Sequence, residues 1–361
     1  MKNNFFKLIL VLSVIALLPV SCTKDNGPDS NDNKGKVLII NQGNYTEQSS
    51  SISLYDENTN QIQNRFYETA NGVSIGATIN TGYITPSGDA ALVCNYPDKV
   101  VFLDPETGKD KGYSLTEGLV SPRDMAFSDN YIYVSNWDSD HTVLPSGSWE
   151  FTKSYIAIYS NSNMTLQKKV LVGSDVEGLL LHKGKLYVAV KQGLKVYDIE
   201  GNNLVLEATV KPSNFTNGAR HIVVDRYNKI WVSFPGNGLM KVNPADNAII
   251  STLDVPVDGM DGYITTDKEG NNIYTYYTTF DESYNPDEAS IYKVNVANNS
   301  YGKLFTGTYF YGVGVSPVTG DVFTSEVSFT SNSVLKVVAS SDGTIINSAT
   351  AGIGTCRYLF F

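Results

Sequence analysis

Three arginines, two acids and a histidine carry most of the chemistry this sequence can offer. Arg123, Glu177, Arg220 with His221 beside it, Asp261 and Arg357 each stand at or near the start of a short apolar run: "PRDMAF", "VEGLLL", "ARHIVV", "DGYIT" and "TCRYLFF". Thr81 and Tyr311 hold the matching place in two further runs. A guanidinium presents a planar fork of donors that suits carboxylate, amide or phosphate oxygens. The same residues can instead satisfy one another, since charges withdrawn from water must be paired. The residue types leave both readings open.

Aromatic residues in long polar stretches supply flat contact area with polar tips: Tyr45, Trp137, Trp149, Phe215, Tyr284, Tyr309 and Tyr311. With the three arginines, His221 and Asp261 they form the candidate ligand-binding set. Catalytic chemistry has little to build on. His141, His182 and His221 are too scattered for a metal-ligand spacing, and no phosphate loop, dinucleotide fingerprint or nucleophile elbow occurs. No catalytic residue, resident metal or cofactor is expected. Acids in the same polar stretches, Asp138, Asp140 and Asp281, leave room for a calcium ion at a loop.

Such residues need a scaffold, and the sequence repeats. An apolar strand recurs as "VLIIN" from Val37, "ALVCN" from Ala91, "IYVSN" from Ile132, "LYVAV" from Leu186, "IWVSF" from Ile230, "IYTYY" from Ile273 and "VFTSE" from Val322, at spacings of 54, 41, 54, 44, 43 and 49 residues. Each is followed by a second strand such as "LKVYD" or "LMKVN", a turn-forming run and a third strand. A shorter apolar strand precedes all but the first. Four strands in each of seven repeats predict an all-β chain, a seven-bladed β-propeller with four antiparallel strands per blade. The first repeat lacks its inner strand, and the C-terminal "TCRYLFF" is left over to close the ring.

Antiparallel order places the loops between second and third strands on one rim, together with the connections between blades. Insertions at 42–50, 137–153, 278–289 and 327–332 should decorate that rim, along with "FYETANG", "KPSNFTNG" and "GTYFYG". The chemistry-bearing positions should encircle the channel mouth there.

The chain opens "MKNNFFKLILVLSVIALLPVSC", whose apolar segment Leu8–Val20 is too short to cross a bilayer. Residues 1–21 read as an export signal, Cys22 as the acylated residue of a lipobox, and 22–36 as a polar tether before the propeller at 37–361. Anchoring through acyl chains at Cys22 is then the sole membrane contact. Lys24-Asp25 resembles a surface-export signal, so an outer-membrane lipoprotein facing the exterior is expected. Removing Lys2 and Lys7 with the leader turns the net charge of −10 into −12, and no basic run survives, so nucleic acid is not an expected partner. Cys94 and Cys356 remain, expected as free thiols.

Three motifs carry a family resemblance: "IINQGNY" at 39–45, "FYETANG" at 66–72 and "YGVGVSPVTGDVF" at 311–323. Over its mature length the chain resembles the YncE-like propeller lipoproteins of Bacteroidota, and in these motifs it is similar to those that capture vitamin B12. Members of that group show an acid where Gln42 stands. The resemblance implies a monomer that captures a small molecule, a corrinoid by preference, for a TonB-dependent transporter. A glycan- or protein-binding propeller and a lactonase-type hydrolase are the alternatives.

Overall fold

Alternating residues on each recurring strand are apolar on both sheet faces, which only a sheet covered on both sides can satisfy. The computed structural model describes residues 35–361 and shows that arrangement. The export leader, the Cys22 lipidation site and most of the expected tether lie outside the described residues. Seven four-stranded antiparallel sheets follow in chain order, each running from an inner to an outer strand. All seven sheets and their apolar clusters fall within this segment, which makes it a self-contained folding unit.

Blade 5 shows how the stacking works. All five residues of Ile230–Phe234 are buried. Ile230, Val232 and Phe234 pack with Tyr187, Ala189 and Val196 of blade 4, whereas Trp231 packs with Ile264, Ile273 and Val294 of blade 6. A tryptophan buries roughly 200 Å², and at about 25 cal/mol per Å² such burial contributes on the order of 5 kcal/mol. The indole N–H of Trp231 donates to Asp225 at 2.9 Å, so its one polar atom is satisfied.

Ring closure follows the expectation. Strand Lys36–Asn41 pairs on one side with Ser51–Asp56 and on the other with Thr355–Phe360, with Ile39 opposite Tyr358 and Ile40 opposite Arg357. The end is tied twice more: the Lys36 N–H donates to the Phe361 carbonyl at 3.3 Å, and the Phe361 N–H to that of Lys36 at 3.1 Å. Blade 7 approaches the closing strand so closely that a Cβ at Gly312 would lie 2.0 Å from the Cys356 carbonyl oxygen. Cys94 and Cys356 are free and buried in the cluster shared by blades 1 and 2, and burial pushes both thiols up to about 12.

One expectation needs qualification, and one insertion gains structure. "FYETANG" meets the rim only through Glu68, which borders a cavity with Glu47–Ser51, while its aromatic residues turn away from it. It forms a short helix, Phe66–Asn71, ended by Gly72 in the left-handed region at φ 73°. Asn71 Nδ2 donates to the Gly108 carbonyl at 2.8 Å, and the Tyr67 hydroxyl donates to Asp110 at 2.6 Å. Those partners belong to the turn joining the third and fourth strands of blade 2, at the end of the blade away from the mouth. Phe66 and Tyr67 are buried there, so the motif serves packing. The insertion at 137–153 carries a small antiparallel hairpin, Thr142–Val143 with Trp149–Glu150.

Candidate functional site

The inner strands converge with their first residues at one rim, where a polar cavity of ≈ 170 Å³ opens. Six of the twelve sequence-predicted residues border it: Tyr45, Arg123, His221, Asp261, Tyr311 and Arg357. Strand geometry brings five of them together, since each inner strand enters the channel at the same height and turns an early side chain inward; Tyr45 joins them from the 42–50 insertion of blade 1.

Their charges are mutually paired. Glu177 accepts from Arg123 Nε at 3.0 Å and also from Arg220 Nη1, joining blades 3, 4 and 5. Asp261 accepts from Arg357 Nη2 at 2.9 Å and from the Tyr276 hydroxyl at 3.1 Å, and His221 Nε2 lies 3.6 Å away. Arg357 in turn lies over the Tyr263 ring at 4.0 Å, and Arg123 over Trp137 at 4.1 Å. Burial alone would raise the Asp261 carboxyl; the charge of Arg357 and the His221 contact outweigh it and hold the group well below the usual carboxylate range. Burial likewise pushes up the Tyr311 and Tyr276 hydroxyls, with the nearby Asp261 charge adding to it.

Asp124 is the residue that sequence reasoning missed. It follows Arg123 in the inner strand of blade 3, borders the cavity, and is almost fully buried. Its oxygens accept from the Tyr83 hydroxyl of blade 2, the Met125 N–H, and the Leu179 N–H of blade 4 at 2.7 Å. Burial nonetheless prevails and raises its carboxyl. An acid inside "PRDMAF" was the available signal, since an ionisable residue in an apolar inner strand must find partners across the channel.

The cavity keeps unused hydrogen-bonding capacity. Three lining residues have a buried polar atom with no protein partner: Arg357 Nε, Asn95 Oδ1 and Thr78 Oγ1. Leaving a buried polar group unsatisfied costs about 1–3 kcal/mol, and because each of these atoms is shielded from solvent, the unmet capacity lies within the cavity wall. One is a donor, one an acceptor, and the hydroxyl can act as either.

The other predicted residues lie elsewhere. Trp137 is stacked on Phe151 at 4.6 Å beneath Arg123. Tyr309 packs against Phe280 and Phe329. Tyr284 stands 87 % exposed at the tip of the blade 6 hairpin. Trp149 and Arg220 border a neighbouring cavity instead. Phe215 is a correction: it is buried in the core, edge-on to Phe234 at 5.1 Å, and secures its loop. Among the described residues no three His, Cys, Asp or Glu side chains cluster as metal ligands. That includes Asp138, Asp140 and Asp281, of which Asp140 pairs with Lys153 and Asp281 caps its own hairpin turn.

Comparison with known proteins places the chain in a family. Residues 34–353 match the family described as domain of unknown function DUF5074. The chain belongs to that family. No curated protein matches it significantly. Among solved structures it is similar to a propeller of Bacteroides fragilis provisionally described as a 6-phosphogluconolactonase, at 13% identity and TM-score 0.65, covering 93% of this chain and 100% of the other. The periplasmic gluconolactonase of Pseudomonas aeruginosa is similar at 13% identity and TM-score 0.63, over 90% and 99% of the two chains. Apo AztD of Citrobacter koseri follows at 8% identity and TM-score 0.59, over 91% and 98%. At such identities the DUF5074 chain shares the fold with these proteins, and function must be argued from its own site.

Proposed function

We propose that this DUF5074 propeller is a lipid-anchored binding protein of the outer-membrane surface that captures an amide-bearing ligand at its mouth, a corrinoid by preference, for delivery to a TonB-dependent transporter. One observation carries the reading: the guanidinium, amide and hydroxyl side chains of Arg357, Asn95 and Thr78 border one small polar cavity. A primary carboxamide is the complementary group, because its carbonyl accepts where its NH₂ donates. A corrinoid periphery carries several such arms.

Size decides how such a ligand would sit. Sites that enclose a drug-sized molecule have volumes of roughly 300–1,000 Å³, and the mouth cavity measures ≈ 170 Å³. It takes one arm, while the body of the ligand lies across the rim. Aromatic groups stand there on two sides: Tyr45 stacked on Tyr96 at 5.2 Å, and Phe280, Tyr309, Phe329 and Tyr311 in mutual contact. Each mouth arginine is already held by a carboxylate, Arg123 and Arg220 by the same Glu177 and Arg357 by Asp261, which favours a neutral amide over a further anion.

Calorimetric titration of residues 35–361 with cyanocobalamin tests this. Binding below micromolar Kd, weakened at least tenfold by Asn95→Ala and by Tyr45→Ala, is the expected outcome. No heat of binding overturns the corrinoid assignment. A hydrolase reading has one observation in its favour, His221 beside Asp261 on the cavity wall, where an imidazole could activate water against a lactone. Hydrolysis of 6-phosphogluconolactone that disappears in His221→Gln would replace binding with catalysis.

A further inference from the structure

Beside the mouth lies a second, larger cavity of ≈ 330 Å³ on the same face. Arg220 borders it while its partner Glu177 borders the mouth, so their ion pair forms part of the wall between the two. Its most unusual element is Trp149, 60 % exposed on the inserted hairpin of blade 3. His141 stacks on the indole at 4.5 Å and Phe151 meets it edge-on at 6.3 Å. Trp149 borders the cavity and His141 does not. An apolar side chain of this size held open to water by two supporting rings is a platform.

The polar groups around the platform are neutralised in pairs yet keep hydrogen-bonding capacity. Lys191 is held by Glu150 at 2.6 Å, and Arg220 by Glu177 through one nitrogen only. Asp175 spends one oxygen on the Phe151 N–H at 2.7 Å. Asn217 donates from Nδ2 to the Pro235 carbonyl at 2.6 Å, which leaves its Oδ1 to accept. The cations are offset by acids, Lys191 by Glu150 and Arg220 by Glu177, which it shares with Arg123, with the Asp175 carboxyl near both cations as well, so no excess positive charge is there to select an anion. What remains is an aromatic face flanked by alternating donors and acceptors. That combination suits a polyhydroxylated ring, whose C–H face lies on the indole while its hydroxyls donate and accept at the edge.

We propose that this cavity is a carbohydrate-binding site that seats one pyranose ring of a glycan on Trp149, with Asp175, Asn217, Lys191 and Arg220 addressing its hydroxyls. The site is separate from the mouth and does not depend on the corrinoid reading.

The test screens residues 35–361 on an array of oligosaccharides and then titrates the best-bound oligosaccharide, following the three tryptophan indole N–H signals by NMR. The Trp149 signal should shift on titration while that of buried Trp231 stays in place. Trp149→Ala should weaken binding at least tenfold with an unchanged melting temperature, and Asn217→Ala several-fold. Tyr45→Ala, at the mouth, should leave sugar binding intact. Absence of any array signal overturns the proposal, as does sugar binding that leaves the Trp149 signal unmoved or survives Trp149→Ala.

Discussion

Arg357 is the residue through which the closing strand meets the mouth, and replacing it by Met puts a number on the pairing. Its side chain is 6 % exposed and Asp261 is 17 % exposed. Removing one partner of a fully buried pair costs about 3–5 kcal/mol. Here Asp261 borders a cavity that water can enter and keeps the Tyr276 hydroxyl and His221, and the methionine still covers Tyr263. The expected loss is therefore at the lower end, about 2–3 kcal/mol. Its pH dependence is diagnostic. In the native protein the Asp261 carboxyl is held low, so its contribution is complete above the unfolded value near 3.9 and fades only as pH falls through the folded one. Without Arg357 the chief lowering influence is gone and burial raises the carboxyl. The deficit of Arg357→Met should thus be greatest at pH 7 and shrink as the solution is acidified and Asp261 takes up a proton. Urea unfolding of the single variants and of Arg357→Met/Asp261→Asn, at pH 7 and pH 5, measures both effects. A deficit under about 0.5 kcal/mol, no change with pH, or strict additivity in the double variant would refute the pairing argument.

Ending the chain at Gly354 removes buried Cys356, Tyr358 and Leu359 together with a strand ladder. Each side chain contributes about 1.5–3 kcal/mol, and the sum with its hydrogen bonds rivals the ~5–15 kcal/mol that holds a typical domain together. The product should lack a cooperative transition by near-ultraviolet circular dichroism; a transition like that of the intact chain would sink the closure argument. Asp258→Asn should act in the opposite direction. Burial raises this carboxyl, so the fold favours its protonated form, and stability falls as pH rises from the unfolded value near 3.9 through the raised one. Asparagine keeps the acceptor that Met260 and Asp261 N–H groups use at 3.0 Å. Its melting temperature should exceed that of the native protein at pH 7, with the gap closing towards pH 4; an equal gap at both would argue against it.

How far the sequence revealed this arrangement depended on whether a signal was periodic. The recurring "IYVSN"-type strands, the four-strand blades and the closing role of "TCRYLFF" were legible because repetition fixes register, and register placed Arg123, Glu177, Asp261 and Arg357 at one height. Contacts made between repeats left no such trace. Phe66 and Tyr67 in "FYETANG" looked like rim aromatics because nothing local reveals that their helix reaches the far turn of blade 2. Phe215 sits in an exposed-looking "KPSNFTNG" yet fills a gap beside Phe234. Asp124 was hidden by its neighbour Arg123, and its importance emerges only with Tyr83 and Leu179 supplied from other blades.

The strand that completes blade 1 comes from the other end of the chain. Hairpins in the remaining blades join residues close in sequence, whereas Thr355 meets Asn41 across 314 positions. Six blades can form from local contacts, and the seventh must wait for the slowest encounter in the molecule. Until then "VLIIN" presents an open, apolar edge that the terminal strand of any copy fits equally well. Two chains that exchange Thr355–Phe360 would each be closed by the other, so the seam that makes one ring complete also makes a strand-swapped dimer the natural misassembly of this protein at high concentration.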